Sequence, residues 1–344
     1  MKGTLSTPLV SVIIPNYNHA RYLEKRLDSI LNQTFQDFEI IIIDDCSTDT
    51  SVDFLKTFKN HPKASHFIIN EKNSGSPFVQ WKKGIELAKG EFIWIAETDD
   101  FAELVFLEKA VLTLQNNQDS NLVYVDSKIV NDEGESTGLW SNIKNNRFKT
   151  NKWSNDYEIS GRKEVFDFLL HSTTINNASA VLFRKKSLAN ISFLNELAAY
   201  KTSGDLFTYI FVALQGKISY IAQPLNNYRE HVLNVTKKNT KSGLLYIERI
   251  RCFEKALSQL EEIKFSKMEL YNLKRGYKHI LKKNGYRLID LGFKKEVFQF
   301  INRMVQSKLI SKNEGSFYAL LFKIYALNHK ALKKVMKKMI RKVL

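Results

Sequence analysis

Cysteine is scarce in this chain: two in 344 residues, Cys46 and Cys252, far apart and without metal-ligand spacing. A disulfide framework is therefore not expected, and a reducing compartment is. A long apolar run is missing too. The segment Leu206–Leu214 has about nine residues, against the ~20 that span a bilayer. Met1–Pro8 lacks an apolar signal region. Neither a P-loop nor a G-x-G-x-x-G occurs, and no repeat or low-complexity linker is seen. Acids are scarce only in the last third. Residues 236–344 hold 27 Lys and Arg against 8 Asp and Glu, a net of +19, while residues 1–235 hold 25 against 28. So sharp a break in charge points to two parts with different partners. An apolar fraction of 44% supports a real core, and 26% charged residues fits a soluble protein.

What is present centres on Glu91-Phe-Ile-Trp-Ile-Ala-Glu-Thr-Asp-Asp100. Phe92–Ala96 is a short, nearly continuous apolar run, as in a strand buried on both faces of a parallel sheet. It stops at Glu97, Asp99 and Asp100, three acids in four positions. Like charges so close repel, and a divalent cation would relieve them while also holding a diphosphate. Ligands of open α/β sheets sit beyond the carboxyl ends of the strands, where these acids lie. The plainer reading is an acidic helix start, which one acid satisfies but three exceed.

The rest of the first 235 residues alternates in the same way. Strands are expected at Leu9–Pro15, Phe38–Ile43, Ser65–Ile69, Leu122–Val125, Ser179–Phe183 and Lys217–Ile221. Helices are expected at Ala20–Asn32, 50–60, Phe78–Lys89, Phe101–Asn116, Arg162–Leu170 and Leu206–Leu214. The pattern predicts a mostly parallel sheet with helices on both faces. Residues 131–160 are polar and read mostly as loop bordering the site. Beyond residue 236, amphipathic helices are expected at Leu244–Leu260, Met268–Lys283, Lys294–Lys308 and Phe317–Leu344.

Seven pieces in this order resemble the family 2 nucleotide-sugar glycosyltransferases of GT-A fold. They are Val10-Ser-Val-Ile-Ile-Pro-Asn-Tyr-Asn18, Ser29-Ile-Leu-Asn-Gln-Thr-Phe35, Ile43-Asp-Asp-Cys-Ser-Thr-Asp49 and Gly84-Ile-Glu-Leu-Ala-Lys-Gly-Glu91. Glu97-Thr-Asp-Asp100, Gly204-Asp205 and Pro224-Leu-Asn-Asn-Tyr-Arg-Glu-His231 complete the set. The resemblance covers roughly residues 8–235. It implies a GT-A domain over 1–235, a Rossmann-like α/β fold, followed by a basic helical region over 236–344. It further implies donor binding by Pro15, Tyr17, Asn18, Asp44, Asp45, Gly75, Asp99 and Arg229. Asp45 would accept from the nucleotide base; a carboxylate only accepts, so it selects an N–H such as that of uracil. Mg²⁺ or Mn²⁺ would be held by Asp99 and Asp100, with His231 as a further ligand. Glu97 stands where the family often has Asp. Asp205 would be the general base of an inverting transfer; an N-cap for the helix from Leu206 is the alternative. The family often has Arg-Asn near Gln80–Lys83; here either Lys72, Lys82 or Lys83 takes its place or the donor contacts differ, and a solvated helix face is the alternative for Lys82 and Lys83.

As implied by the resemblance, the reaction moves a hexosyl or N-acetylhexosaminyl group from a nucleotide sugar to a glycan or lipid-linked acceptor, in surface polysaccharide biosynthesis at the cytoplasmic face of the membrane. Two other classes compete. A nucleotidyltransferase making sugar nucleotides usually has a Gly-rich, Arg-containing loop after the first strand, and Asn16–His19 has neither residue. A nucleic-acid binder would use the basic C-terminal region, but the sheet domain is slightly acidic. In residues 329–344, Leu332, Val335, Met336, Met339, Ile340 and Val343 share one helical face among seven cations. That face is expected to lie on an anionic membrane surface, with packing on the protein's own core as the alternative.

Overall fold

The structure is a computed structural model, and it describes residues 7–230, 242–258, 265–327 and 330–344. The chain forms two compact units. The first holds residues up to Arg162 together with Thr174–Val232.

Its ten-stranded sheet runs β3-β2-β1-β4-β9-β6-β10-β5, with β7 on β6 and β8 on β10. The strands are β1 Val10–Asn16, β2 Phe38–Asp44, β3 Ala64–Ile69, β4 Phe92–Ile95, β5 Phe101–Ala102, β6 Ser120–Val130, β7 Ser136–Leu139, β8 Tyr157–Ser160, β9 Val181–Arg184 and β10 Lys217–Arg229. β3, β2, β1 and β4 are mutually parallel. β9 lies antiparallel between β4 and β6, and β10 continues parallel to β6. Every residue of β1, β2 and β4 is buried, as the unbroken apolar runs require.

Helices α1 (Ala20–Leu31), α2 (Ser51–Lys56), α3 (Pro77–Leu87) and α4 (Phe106–Asn116) connect these strands. In α1, Tyr22, Leu23, Leu27 and Ile30 recur at helical spacing and are buried. α3 starts where Ser76 Oγ accepts the Phe78 N–H and Pro77 opens the first turn. It then packs so near β1 that a Cβ on Gly84 would lie 2.3 Å from Ile13 Cγ2.

Three expectations differ from what is observed. Residues 131–160 are not mostly loop: they contain β7, helix α5 (Trp140–Phe148) and β8. α5 has no apolar stripe to betray it. Asn145 fixes it, its main-chain carbonyl accepting from Thr150 and its side chain from Trp153. β10 runs on to Arg229 past Pro224, because irregular register at Pro224 absorbs the missing donor. Third, the helix expected over Phe101–Asn116 starts only at Phe106, because Phe101–Ala102 pairs with β10 as β5.

The second unit holds Lys163–Thr173 and residues from Leu233 onward. Val165–Leu169 forms a π-helical turn, with Phe166 against Phe265 and Leu170 against Gly276. Beyond α6 (Ile191–Leu197) and α7 (Gly204–Ala213) of the first unit, its main helices are α8 (Leu244–Ser258), α9 (Lys267–Ile280), α10 (Lys294–Gln306), α11 (Lys312–Leu327) and α12 (Lys330–Val343). In α12, Met336 and Ile340 are buried. Lys333 and Lys337 bridge to Asp290, and Arg341 donates to the Tyr286 hydroxyl. Part of the face expected on a membrane is thus folded onto the unit's own core. Among the described residues, no helix is long and apolar enough to cross a membrane.

Candidate active site

The site lies beyond the carboxyl ends of β1, β2 and β4. Register sets it: Asn16 pairs with Asp44, and Ile13 with Ile95. The residues after each strand therefore emerge side by side.

Between β1 and β2, Asp44 organises the loop. Its carboxylate is fully buried and accepts from Asn16 Nδ2 at 2.7 Å, Ser47 Oγ at 2.6 Å and Ser47 N at 2.8 Å. Asn18, at φ +54°, accepts the Thr48 N–H with its side chain and donates its own N–H to Ser47 Oγ. Asp49 accepts from Ser51 N and Ala20 N. Asp44 and Asn18 thus hold the two loops together at the strand ends. Pro15 is buried at the end of β1, while Tyr17 is 44% exposed at the mouth. The Oδ1 atom of Asn16 is buried without a hydrogen-bond partner.

Asp45 is 4% exposed. Oδ1 accepts from Asn70 Nδ2 at 2.7 Å, and Oδ2 from Ser74 Oγ at 2.7 Å, with the Ser74 N–H 3.0 Å from both. Gly75, at φ +72°, shapes this loop. Lys83 reaches the same network through Asn70, whereas Lys82 turns away to Asn195 and Glu86. A base N–H would have to take the place of Ser74.

The acids after β4 divide into different roles. Glu97 accepts from Trp81 Nε1 at 2.8 Å. Burial, reinforced by the charge of Asp99, pushes its carboxyl up to about 8, so it is largely protonated at neutral pH. Asp100 accepts from Asn177 Nδ2 at 2.7 Å and from the Arg229 N–H at 3.0 Å. Burial and then the Asp99 charge raise it as well. Thr98 meets the Nδ1 of His19 at 2.7 Å. Arg229 is occupied by main-chain carbonyls, Nε on Asp99 and Nη1 on Asn131 and Asp132. It ties the acid strand end to the β6–β7 turn. His231 lies outside the described residues.

Beneath the acids sits Arg26, fully buried over the Trp94 ring at 4.8 Å, with no hydrogen-bond partner for its three nitrogens. Burial lowers it to about 10, and Asp100, Glu97 and Asp99 pull the other way. Asp205 lies in the first turn of α7. Ser203, not Asp205, is the N-cap, and Asp205 Oδ1 accepts the Leu206 N–H at 2.7 Å. The buried Tyr209 hydroxyl is held well above its usual range by burial and then by the charges of Asp205, Glu97 and Asp100. Asp205 and the acid cluster therefore converge around one side chain, across more than a hundred residues of sequence. Trp81, Asn177, Arg26 and Tyr209 carry no local motif; only tertiary contact reveals them.

The donor set suits a hard divalent cation. Asp99 and Asp100 are adjacent carboxylates at a strand's carboxyl end, and a Mg²⁺-type site often takes one or two carboxylates plus substrate phosphates. Among the described residues, no group of three His, Cys, Asp or Glu forms a closed metal site.

Comparison with known proteins agrees with this geometry. The profile described as glycosyl transferase family 2 matches residues 11–191. Glycosyltransferase GlyG of Streptococcus pneumoniae is 25% identical over 279 residues, 79% of this chain and 89% of GlyG. Poly(ribitol-phosphate) beta-N-acetylglucosaminyltransferase TarS of Staphylococcus aureus is 31% identical over 128 residues, 36% of this chain but only 22% of TarS. The crystal structure of TarS 1–349 with UDP-GlcNAc superposes with a TM-score of 0.67 at 17% identity, over 97% of this chain and 90% of that one. The mannosyltransferase PcManGT of Pyrobaculum calidifontis, with GDP-Man and Mn²⁺, gives 0.53 at 16% identity, over 97% and 85%. With more than half its length matched by the profile, on a GT-A fold with a helical C-terminal region, the chain belongs to glycosyl transferase family 2 and is a glycosyltransferase of nucleotide-sugar donors.

Proposed function

We propose that the protein transfers a hexosyl or N-acetylhexosaminyl group, with inversion, from a uridine diphosphate sugar to a hydroxyl of a glycan or lipid-linked acceptor in surface polysaccharide assembly. The observation that supports this reading is that Asp205, Glu97 and Asp100 all act on the buried Tyr209 hydroxyl, with Asp99 acting in turn on Asp100, beyond the strand ends that also carry Tyr17 and Asp45.

Tyr17 supplies an exposed ring on which a base can stack, and Asp45 accepts the base N–H once Ser74 yields. Uracil and guanine both offer such an N–H. The UDP-GlcNAc in TarS and the GDP-Man in PcManGT fit that chemistry. A divalent cation held by Asp99 and Asp100 would stabilise charge on the departing diphosphate. The Trp81 and Asn177 bonds fix Glu97 and Asp100 so that the acids stay aimed despite repulsion. Asp205 takes the acceptor hydroxyl proton as the oxygen attacks the anomeric carbon from the face opposite the diphosphate. The poly(ribitol-phosphate) that TarS glycosylates supports a polymer as the acceptor class. Peripheral attachment to the inner face of the membrane, through the basic second unit, would bring a lipid-linked acceptor to the enzyme.

The test is a panel of UDP- and GDP-sugars with Mg²⁺ or Mn²⁺, scored for released nucleoside diphosphate. Release from a UDP-sugar, abolished by chelator, is expected. Release from GDP-sugars alone would overturn the nucleotide assignment.

A further inference from the structure

Helix α11 is apolar nearly all round. From Phe317 to Leu327 it carries one charge, Lys323. Such a helix is ordinarily enclosed. Here only one side is: Tyr318, Leu321, Phe322 and Tyr325 are buried. Phe317, Leu320, Ile324 and Leu327 follow at spacings of three, four and three, on one face, and all four are exposed. Leu320 is 54% and Leu327 81% exposed.

Helix α12, which packs on α11, continues the pattern. With Met336 and Ile340 turned inward, Val335 (58%) and Met339 (47%) face out. The exposed cations beside them are Lys334, Lys338 and Lys342. α12 contains no acid, and the one acid of α11, Glu314, is held by Lys274 and Lys278 away from the stripe. An apolar strip edged by exposed lysines, with no acid of either helix beside it among the described residues, matches an anionic lipid surface: acyl chains for the strip, phosphates for the lysines.

We propose that the exposed faces of α11 and α12 form a membrane-docking surface for anionic lipid, with α11 supplying the apolar strip and α12 mainly the charge. This rests on the peripheral-membrane part of the proposed function; of the tail face read from sequence it keeps Val335 and Met339, and it adds the exposed face of α11. No helix crosses the bilayer in this arrangement; α11 lies along the interface.

The experiment is co-sedimentation of the full chain with phosphatidylcholine vesicles, with and without a third phosphatidylglycerol. Binding to the anionic vesicles alone is expected. It should fall at least tenfold for Leu320→Ser with Leu327→Ser, and comparably for Lys334→Glu with Lys338→Glu. Raising salt to 1 M shortens the screening length to about 3 Å and should weaken binding as the lysine pair does. All four side chains are exposed, so the variants keep the fold, and far-ultraviolet circular dichroism checks this. Equal binding by wild type and the leucine variant would overturn the assignment. So would a wild-type dimer in light scattering that the leucine variant abolishes, since the strip would then be a contact between copies. Nucleoside diphosphate release on a water-soluble acceptor separates the two readings. A chain that turns over but ignores vesicles sinks this inference and leaves the transferase reading standing.

Discussion

Asp44 and Asp45 are neighbours of one type, yet they do different things. Asp44 is saturated by Asn16 and Ser47 and builds the loop. Asp45 is held by Asn70 and Ser74, partners a ligand N–H can replace. The acids after β4 divide likewise. Burial and the charge of Asp99 push Glu97 up to about 8, while Asp99 and Asp100 are the pair proposed to meet a cation. Asp100→Ala should remove most turnover and the metal-dependent part of nucleotide binding, read by calorimetry with Mn²⁺ and UDP. Full activity in excess chelator would contradict it. Asp205→Asn retains an oxygen for the Leu206 N–H but cannot take a proton. Donor binding should stay nearly intact while kcat drops by about 10²-fold or more, the usual scale for a lost general base. Normal turnover would return Asp205 to a helix-start role.

At the scale of elements, local pattern sufficed where burial is periodic. β1, β2 and β4 announce themselves as unbroken apolar runs, and α1 by its spacing. α5 does not, because the side-chain and main-chain bonds of Asn145 hold it instead of a buried stripe. In the second unit, the turn after Val165–Leu169 carries His171. Burial, then the charges of Arg275 and His279, lower it to about 4 from an ordinary 6.5; the Phe166 main chain and Asp167 oppose this. The unfolded chain therefore binds more protons between those values. The stabilisation from neutral His171 is complete above about pH 6.5 and is lost as pH falls towards 4. Thermal melts should show the midpoint falling over that window, and His171→Gln should flatten the slope. An unchanged slope in the variant would remove His171 as the cause.

For the whole molecule, the charge break near residue 235 is close to a structural divide but does not coincide with it. Lys163–Thr173 belongs with the second unit. Phe166, Leu169 and Leu170 are buried there, against Phe265 and α9 among others. A chain cut after residue 235 would leave these three without that cover. Each buried apolar side chain of this size contributes about 1.5–3 kcal/mol, so the truncated chain should melt lower and bind an apolar dye that the full chain ignores. A melt matching that of the full chain would show that residues 1–235 are self-sufficient.

The sequence by itself determined the family, the α/β alternation and the placing of acids at strand ends. Those features are written in short windows, where apolar runs and charged stops stand next to each other. Tertiary structure alone decided how the acids differ in their surroundings. Burial, a Trp81 or Asn177 donor, and the approach of Asp205 through Tyr209 come from residues far apart in the chain. It also decided which side of α12 faces out, because an amphipathic pattern marks an apolar face but not what covers it. Asp290 and Tyr286 drew one row of cations inward, and the exposed strip on α11 had no polar partner in sequence to reveal it.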